Sequence, residues 1–234
     1  MDYLTSLNSE AAIGIRNISL TIAPGQKVGI CGRTGGGKSS LVGTLLRLLE
    51  IDAGTITIDG LDLSTIPRDL LRERLVTLPQ EPLVLTTSVR ANIDPHNVSS
   101  DAAIIDVLAR VNLWDGVLGD REGGLDHELT PTSLSRGQNQ LLALARALLK
   151  IRRGARVLLL DEPTSSMDAE TDGVVQRVLR EEGRACTVLA IAHRVGTILG
   201  SDLVAVMEEG RVAEVGRPEE LREQGGAFSS LVGG

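Results

Sequence analysis

Apolar residues gather in short unbroken runs: Val28-Gly29-Ile30-Cys31, Val157 to Leu160, Thr187 to Ala192 and Leu203 to Met207. Runs of this length without a polar face read as strands buried on both sides, the pattern of a parallel sheet covered by helices. Between them the period changes. Leu141, Leu142, Ala145, Leu148 and Leu149 mark one face of an amphipathic helix, and Ile104, Ile105, Leu108 and Val111 do the same over Asp101 to Leu113. A third helix is predicted from Ser39 to about Leu49. Polar and apolar residues alternate over Arg16 to Ile22 and Thr55 to Ile58, which predicts half-buried strands. Pro24-Gly25, Asp59-Gly60 and Glu209-Gly210 are turn signals, the last leading into a strand over Arg211 to Val215. Residues 116–132, rich in Gly, charge and Pro, read as loop. Strands alternating with helices place the chain in the α/β class.

At 234 residues the chain suffices for one sizeable domain with a buried core. Aromatics are 1%, so the core must be built from Leu, Val, Ile and Ala, and no aromatic platform for bases is present. A net charge of −7 removes the basic footprint that nucleic-acid binding requires. Cys31 and Cys186 sit in apolar runs and read as small buried hydrophobes of a reducing compartment. The N-terminus has no signal-peptide pattern, and no apolar stretch approaches the ~20 residues that span a bilayer.

Gly32-Arg33-Thr34-Gly35-Gly36-Gly37-Lys38-Ser39 matches G-x-x-x-x-G-K-[ST], with an apolar strand before it and a helix after it. Glycines let the backbone wrap closely around a phosphate chain. Their N–H groups and the following helix N-terminus point at the anion. Lys38 supplies charge for the β- and γ-phosphates, Ser39 is placed to ligate Mg²⁺, and Ser40 adjoins the same seat. ATP with Mg²⁺ is the cofactor this loop predicts.

Asp161 and Glu162 stand at the end of an apolar strand, and ligands of open α/β sheets bind outside the carboxyl ends of the strands. Asp161 can reach the Mg²⁺ sphere from there, and Glu162 can orient and polarise the attacking water. His193 ends another apolar strand and is expected on the same edge, where a neutral imidazole either contacts the γ-phosphate or the attacking water or serves as a structural hydrogen-bonder. Gln80, in Leu78-Pro79-Gln80-Glu81-Pro82, carries an amide suited to Mg²⁺ or water contact. Ser135-Arg136-Gly137-Gln138 opens the amphipathic helix, and Ser135 with Gln138 fits a capping box. An exposed, Gly-bearing helix N-terminus is also an anion site. The chain thus carries two anion sites where one ATP needs one.

The phosphate loop, Gln80, Leu134-Ser135-Arg136-Gly137-Gln138, Leu159-Leu160-Asp161-Glu162-Pro163, Ser165-Ser166-Met167-Asp168 and His193 occur in the order seen in ABC transporter nucleotide-binding domains. The chain resembles that family from about Ile15 onward. The resemblance implies a P-loop NTPase fold with a mainly parallel sheet, an antiparallel β subdomain and an inserted helical subdomain. It implies one ATPase domain over 1–234, with its core at 1–80 and 153–234 and the helical subdomain at about 81–152. It also implies a second nucleotide-binding domain as partner, joined head to tail. Ser135 and Gly137 would then contact the γ-phosphate held by the partner, and Asp168 would lie at the dimer seam. Transmembrane domains on the same or another chain would meet the loop at Gln80 and the helices after it, at the cytoplasmic face of a membrane.

Val28 to Thr34, Ala91-Asn92-Ile93-Asp94-Pro95 and Gly225-Gly226-Ala227-Phe228 are similar to the second nucleotide-binding domain of C-subfamily, multidrug-resistance-associated exporters. Three departures stand out, one of them a first strand expected to be truncated relative to the family fold. Arg136 occupies a position where the family commonly has Gly. The aromatic that stacks on adenine is expected near Leu7, where the nearest candidate is Tyr3. The departures at Arg136 and at the adenine aromatic motivate a competing expectation, a nucleotide-binding regulatory module with little turnover.

Overall fold

The structure, a computed structural model, describes residues 14–161, 168–192 and 195–233. Its elements in chain order are β1 (Lys27–Cys31), α1 (Lys38–Leu45), β2 (Thr57–Ile58), β3 (Leu61–Asp62), α2 (Arg68–Arg74), β4 (Leu75–Leu78), β5 (Thr87–Ser88), α3 (Val89–Ile93), α4 (Asp101–Arg110), β6 (Glu128–Leu129), α5 (Arg136–Arg152), β7 (Val157–Asp161), α6 (Ala169–Glu182), β8 (Thr187–Ile191), α7 (Val195–Leu199), β9 (Leu203–Glu208), β10 (Arg211–Gly216), α8 (Pro218–Gln224) and α9 (Ala227–Val232). They fall into two compact units. The described residues of 14–75, 156–161 and 186–233 form the first, and those of 76–155 and 168–185 the second.

Strands of the first unit run in the order β10-β9-β1-β8-β7. β1 pairs in parallel with β8 and β9, and β7 with β8. These are the continuous apolar runs, and almost all of their residues are buried. β10 returns antiparallel to β9 through Glu209-Gly210, whose φ values of 49° and 77° give the turn that right-twisted hairpins favour. Asp59 and Gly60, at 54° and 76°, close the β2–β3 hairpin in the same way. Val28, Ile30, Leu159, Leu189 and Met207 share a core with Leu41 and Leu45 of α1. Val204, Val206 and Leu221 surround Phe228, which is wholly buried, on the other side of this unit. Both cysteines are buried thiols.

Predicted elements differ in extent: the strand expected over Thr55 to Ile58 forms only at Thr57–Ile58, and the helix expected over Asp101 to Leu113 ends at Arg110. Over Arg16 to Ile22 the alternation of burial holds, with Ile18, Leu20 and Ile22 inside and Ser19 and Thr21 outside. Ladder pairing is confined to a bridge at Ile18, because Asn17 turns left-handed at φ 52° and breaks the strand. The helix expected to reach Leu49 stops at Leu45. Arg47 at φ 50° ends it, and the Leu48 and Leu49 amides fold back onto the Gly43 carbonyl.

In the second unit α5 packs against α3, α4 and α6. Its apolar face is buried from Leu141 to Ile151, while Lys150 and Arg152 oppose the negative end of its dipole. Residues 116–132, read as loop, contain β6, whose Leu129 and Glu128 pair with Thr87 and Ser88 of β5. Asp94, 2% exposed, accepts hydrogen bonds from the Val98 amide at 2.9 Å and the Ser99 amide at 2.6 Å. Burial pushes its carboxyl up, but hydrogen bonds from Ser99 and Val98, with Arg153 nearby, outweigh that and hold it below the usual range. Asp94→Ala leaves two inward amides unpaired and should cost roughly 2–4 kcal/mol in urea unfolding. A lowered folded pKa means this stabilisation is complete above the unfolded value of about 3.9 and is lost as pH falls through the folded one. The gap between wild type and Asp94→Ala should therefore be widest at neutral pH and close in acid.

Candidate ATP site

The phosphate loop leaves the carboxyl end of β1 and enters α1. Gly32, at φ 142°, lies so close to β9 that a Cβ would stand 2.1 Å from the Met207 carbonyl oxygen. At φ 99°, Gly37 would place a Cβ 2.7 Å from the Ile15 side chain. Both positions demand glycine, on conformation and on space. The Gly36 amide closes a turn onto the Arg33 carbonyl at 3.0 Å, and the Gly210 amide holds the Gly36 carbonyl at 3.1 Å. Arg33, Thr34 and Gly35 remain exposed at the crest.

Lys38 is 7% exposed, with its ammonium inside the loop. Nζ donates to the carbonyl oxygens of Gly32 at 2.7 Å and Arg33 at 3.1 Å. A buried ammonium is tolerated because these oxygens replace part of its hydration. Beside it, burial pushes the Cys31 thiol up to about 11, despite the opposing charge of Lys38, so the thiol adds no negative charge near neutrality. Ser39 is exposed and Ser40 half-buried in the first turn of α1. A cleft of about 800 Å³ opens beside the loop, lined among others by Arg16, Arg33, Thr34, Glu209 and Arg211.

Asp161 ends β7 half-buried. Its place relative to the loop follows from strand register. Ile191 of β8 aligns with Asp161 on one side and with Ile30 on the other. At ~4.8 Å per strand, Asp161 stands about 10 Å from Ile30 at the same height, on the sheet edge from which the phosphate loop departs. The Ser39 hydroxyl and Asp161 carboxylate are hard oxygen donors. Among the described residues no three His, Cys, Asp or Glu side chains cluster as an all-protein metal cage. Two such oxygen donors fit Mg²⁺, which takes most of its ligands from water and phosphate. Glu162 and His193 lie outside the described residues.

Gln80, Ser135 to Gln138 and Asp168 belong to the second unit. Gln80 is exposed two residues past β4. The capping box forms as predicted: Ser135 Oγ accepts from the Gln138 amide at 3.2 Å, and Gln138 Oε1 accepts from the Ser135 amide at 2.9 Å. The cap uses the Ser135 hydroxyl only as an acceptor, and Ser135 is exposed. Arg136, the first residue of α5, is exposed. Gly137 lies against the start of α6, where a Cβ would meet Thr171 Oγ1 at 2.9 Å and Asp168 Oδ2 at 3.3 Å. Asp168 caps α6. The Thr171 amide first, and its hydroxyl second, hold the carboxyl below the usual range.

Two residues that no motif singles out join these groups. Thr171 fixes the Asp168 carboxylate. Gln140, 3% exposed, donates through Nε2 to the Gln80 carbonyl at 2.5 Å and towards the Pro79 carbonyl at 3.4 Å. A legible signal existed for Gln140: it shares its helical face with Leu144, Ala147, Leu148 and Ile151, and a lone amide on an apolar stripe asks for a partner. Of the three aromatics, Phe228 is sealed in the core, Trp114 sits half-buried in the second unit, and Tyr3 lies outside the described residues.

Known proteins share the sequence and the fold of this chain. The family model described as ABC transporter matches residues 15–165. The chain is 45% identical over 218 residues to the ABC transporter ecdL of Aspergillus rugulosus, covering 93% of this chain and 14% of that protein. It is 42% identical over 229 residues to human ATP-binding cassette sub-family C member 2, covering 97% of this chain and 15% of that protein. A bacterial Atm1-family ABC exporter, solved with ATP bound, superposes with a TM-score of 0.83 at 28% identity, over 98% of this chain and 40% of the exporter chain. The chain thus spans about a seventh of the length of these first two relatives. No helix among the described residues is long and apolar enough to cross a membrane. On the match of sequence, fold and phosphate loop together, the chain belongs to the ABC transporter family, as its ATP-binding and ATP-hydrolysing domain.

Proposed function

We propose that this chain is the motor of an exporter, working as one of two nucleotide-binding domains that close head to tail on ATP. The observation that carries this reading is the pair of separate anion-ready helix starts. One is α1 behind the phosphate loop, and the other is α5 behind the capped Ser135. A single nucleotide needs only the first. The second, with the exposed Ser135 hydroxyl and Gly137, suits the γ-phosphate of a nucleotide held by another copy or a related domain.

Within one composite site Lys38 releases its carbonyl partners to bind the phosphates. The loop amides from Gly32 through Ser40 orient them. Ser39, Asp161 and Gln80 would hold Mg²⁺, which when bound neutralises charge on the β- and γ-oxygens. Glu162 takes up the proton of the attacking water, and His193 orients that water or the γ-phosphate. Asp168, held by Thr171, lies at the seam. Leu83 and Leu85, exposed just past Gln80, offer an apolar surface to transmembrane domains on the same or another chain. Closure would be transmitted there, at the cytoplasmic face of a membrane, to drive export.

Composite sites make turnover depend on pairing. ATP hydrolysis per chain should rise with chain concentration until pairing saturates, while ATP binding to the dilute chain persists. Hydrolysis per chain that stays constant down to concentrations where scattering shows only single copies would overturn the head-to-tail reading.

A further inference from the structure

We infer that Gln140 is a positioning residue for hydrolysis, acting through Gln80. It stands one turn into α5, four residues after Arg136, and is buried on the apolar face of the helix. Its Nε2 reaches across the chain to the carbonyls of Pro79 and Gln80, the residues at which β4 gives way to loop. Its Oε1 is buried without a hydrogen-bond partner among the described residues. A buried, half-satisfied amide costs stability that a leucine of similar length would not. What the glutamine supplies and a leucine cannot is the donation to the Gln80 backbone.

This donation has a definite geometric effect. Gln80 is exposed and flanked by Pro79 and Pro82, and its side chain is left to project from the loop. Fixing its carbonyl fixes the Cα from which its side-chain amide projects. Further along, Arg146 of the same helix donates to the Leu83 carbonyl at 2.5 Å and to the backbone and side-chain oxygens of Asn92. Asn92 in turn bonds Leu85 through both its amide atoms. The segment from Pro79 to Asn92 is thus pinned to α5 at its two ends. Gln140 holds the end that carries Gln80, and α5 is the helix whose N-terminus is the signature. A shift of α5 on meeting a partner's phosphate would be felt at Gln80 through one hydrogen bond.

The inference rests on the reading of Gln80 as a group that serves the ion or the attacking water. The test is a double-mutant cycle on this chain with Gln80→Ala and Gln140→Leu, reading kcat, the Mg²⁺ concentration for half-maximal turnover, and ATP affinity by calorimetry. Gln140→Leu should lower kcat roughly five- to twentyfold and raise the Mg²⁺ requirement, with ATP affinity unchanged. Added to Gln80→Ala it should have no further effect. Losses that multiply, or an unimpaired Gln140→Leu beside an impaired Gln80→Ala, overturn the positioning role and leave Gln80 its function. An unimpaired Gln80→Ala overturns both. Gln140→Glu guards against a folding defect, because it keeps the volume and removes the donor only while ionised. Its turnover relative to wild type should rise as pH falls and the carboxyl regains a proton to donate. A flat ratio across pH in a folded Gln140→Glu chain also overturns the role.

Discussion

Lys38→Ala should lower the affinity of this chain for ATP by about 10- to 150-fold, the range set by losing charge-assisted hydrogen bonds worth roughly 1.5–3 kcal/mol. The ammonium is already inside the loop, held by two neutral carbonyls at 2.7 and 3.1 Å. A triphosphate offers it full negative charge in exchange, so the side chain needs only a small reorientation to change partners. The loop amides and the α1 dipole remain in the variant, which is why binding should weaken and not vanish. Calorimetric titration with ATP checks the affinity, and thermal unfolding of both chains separates a binding loss from a folding loss. Equal affinity in wild type and Lys38→Ala would contradict the assignment of the loop.

Much of the first unit is legible because its signals are local. Val157 to Leu160 and Leu203 to Met207 are apolar on both faces, and only a strand covered on both sides buries such a run within five residues. Asp59-Gly60 and Glu209-Gly210 announce their hairpins because few residue pairs accept two positive φ values in succession. The sequence alone puts Asp161 near the phosphate loop, since parallel strands bring their carboxyl ends to one edge. Strand register adds the height and the distance.

What escaped the sequence is what depends on partners far along the chain. Alternation over Arg16 to Ile22 specifies which side chains turn inward, but a ladder also needs a neighbouring strand and unbroken φ, and Asn17 denies the second. Gln140 meets the Gln80 carbonyl across 60 residues, and Thr171 meets Gly137 across a helix junction. No spacing rule relates such pairs. Gly137 shows the limit well. Anion approach favours a glycine there from sequence, whereas in the structure a Cβ would also crowd the Thr171 hydroxyl at 2.9 Å, so that side chain would have to shift. Both reasons act on one residue, and the second acts without any nucleotide.

Glu162→Gln should separate binding from turnover. In the sequence it directly follows Asp161, the last residue of β7. Replacing the carboxylate by an amide keeps size and hydrogen bonding but removes the proton acceptor. Loss of general-base assistance is typically worth ~10²–10⁴ in rate, and turnover should fall within that range. ATP affinity should hold or rise, because one negative charge leaves the neighbourhood of the phosphates. The closed pair, no longer reopened by hydrolysis, should accumulate with ATP and appear by light scattering as a doubled mass at concentrations where the wild type is single. These readings move in opposite directions only if Glu162 acts on the water. A Glu162→Gln chain that hydrolyses ATP at the wild-type rate removes it from the role of base. One that neither hydrolyses nor binds ATP assigns it to the nucleotide seat instead.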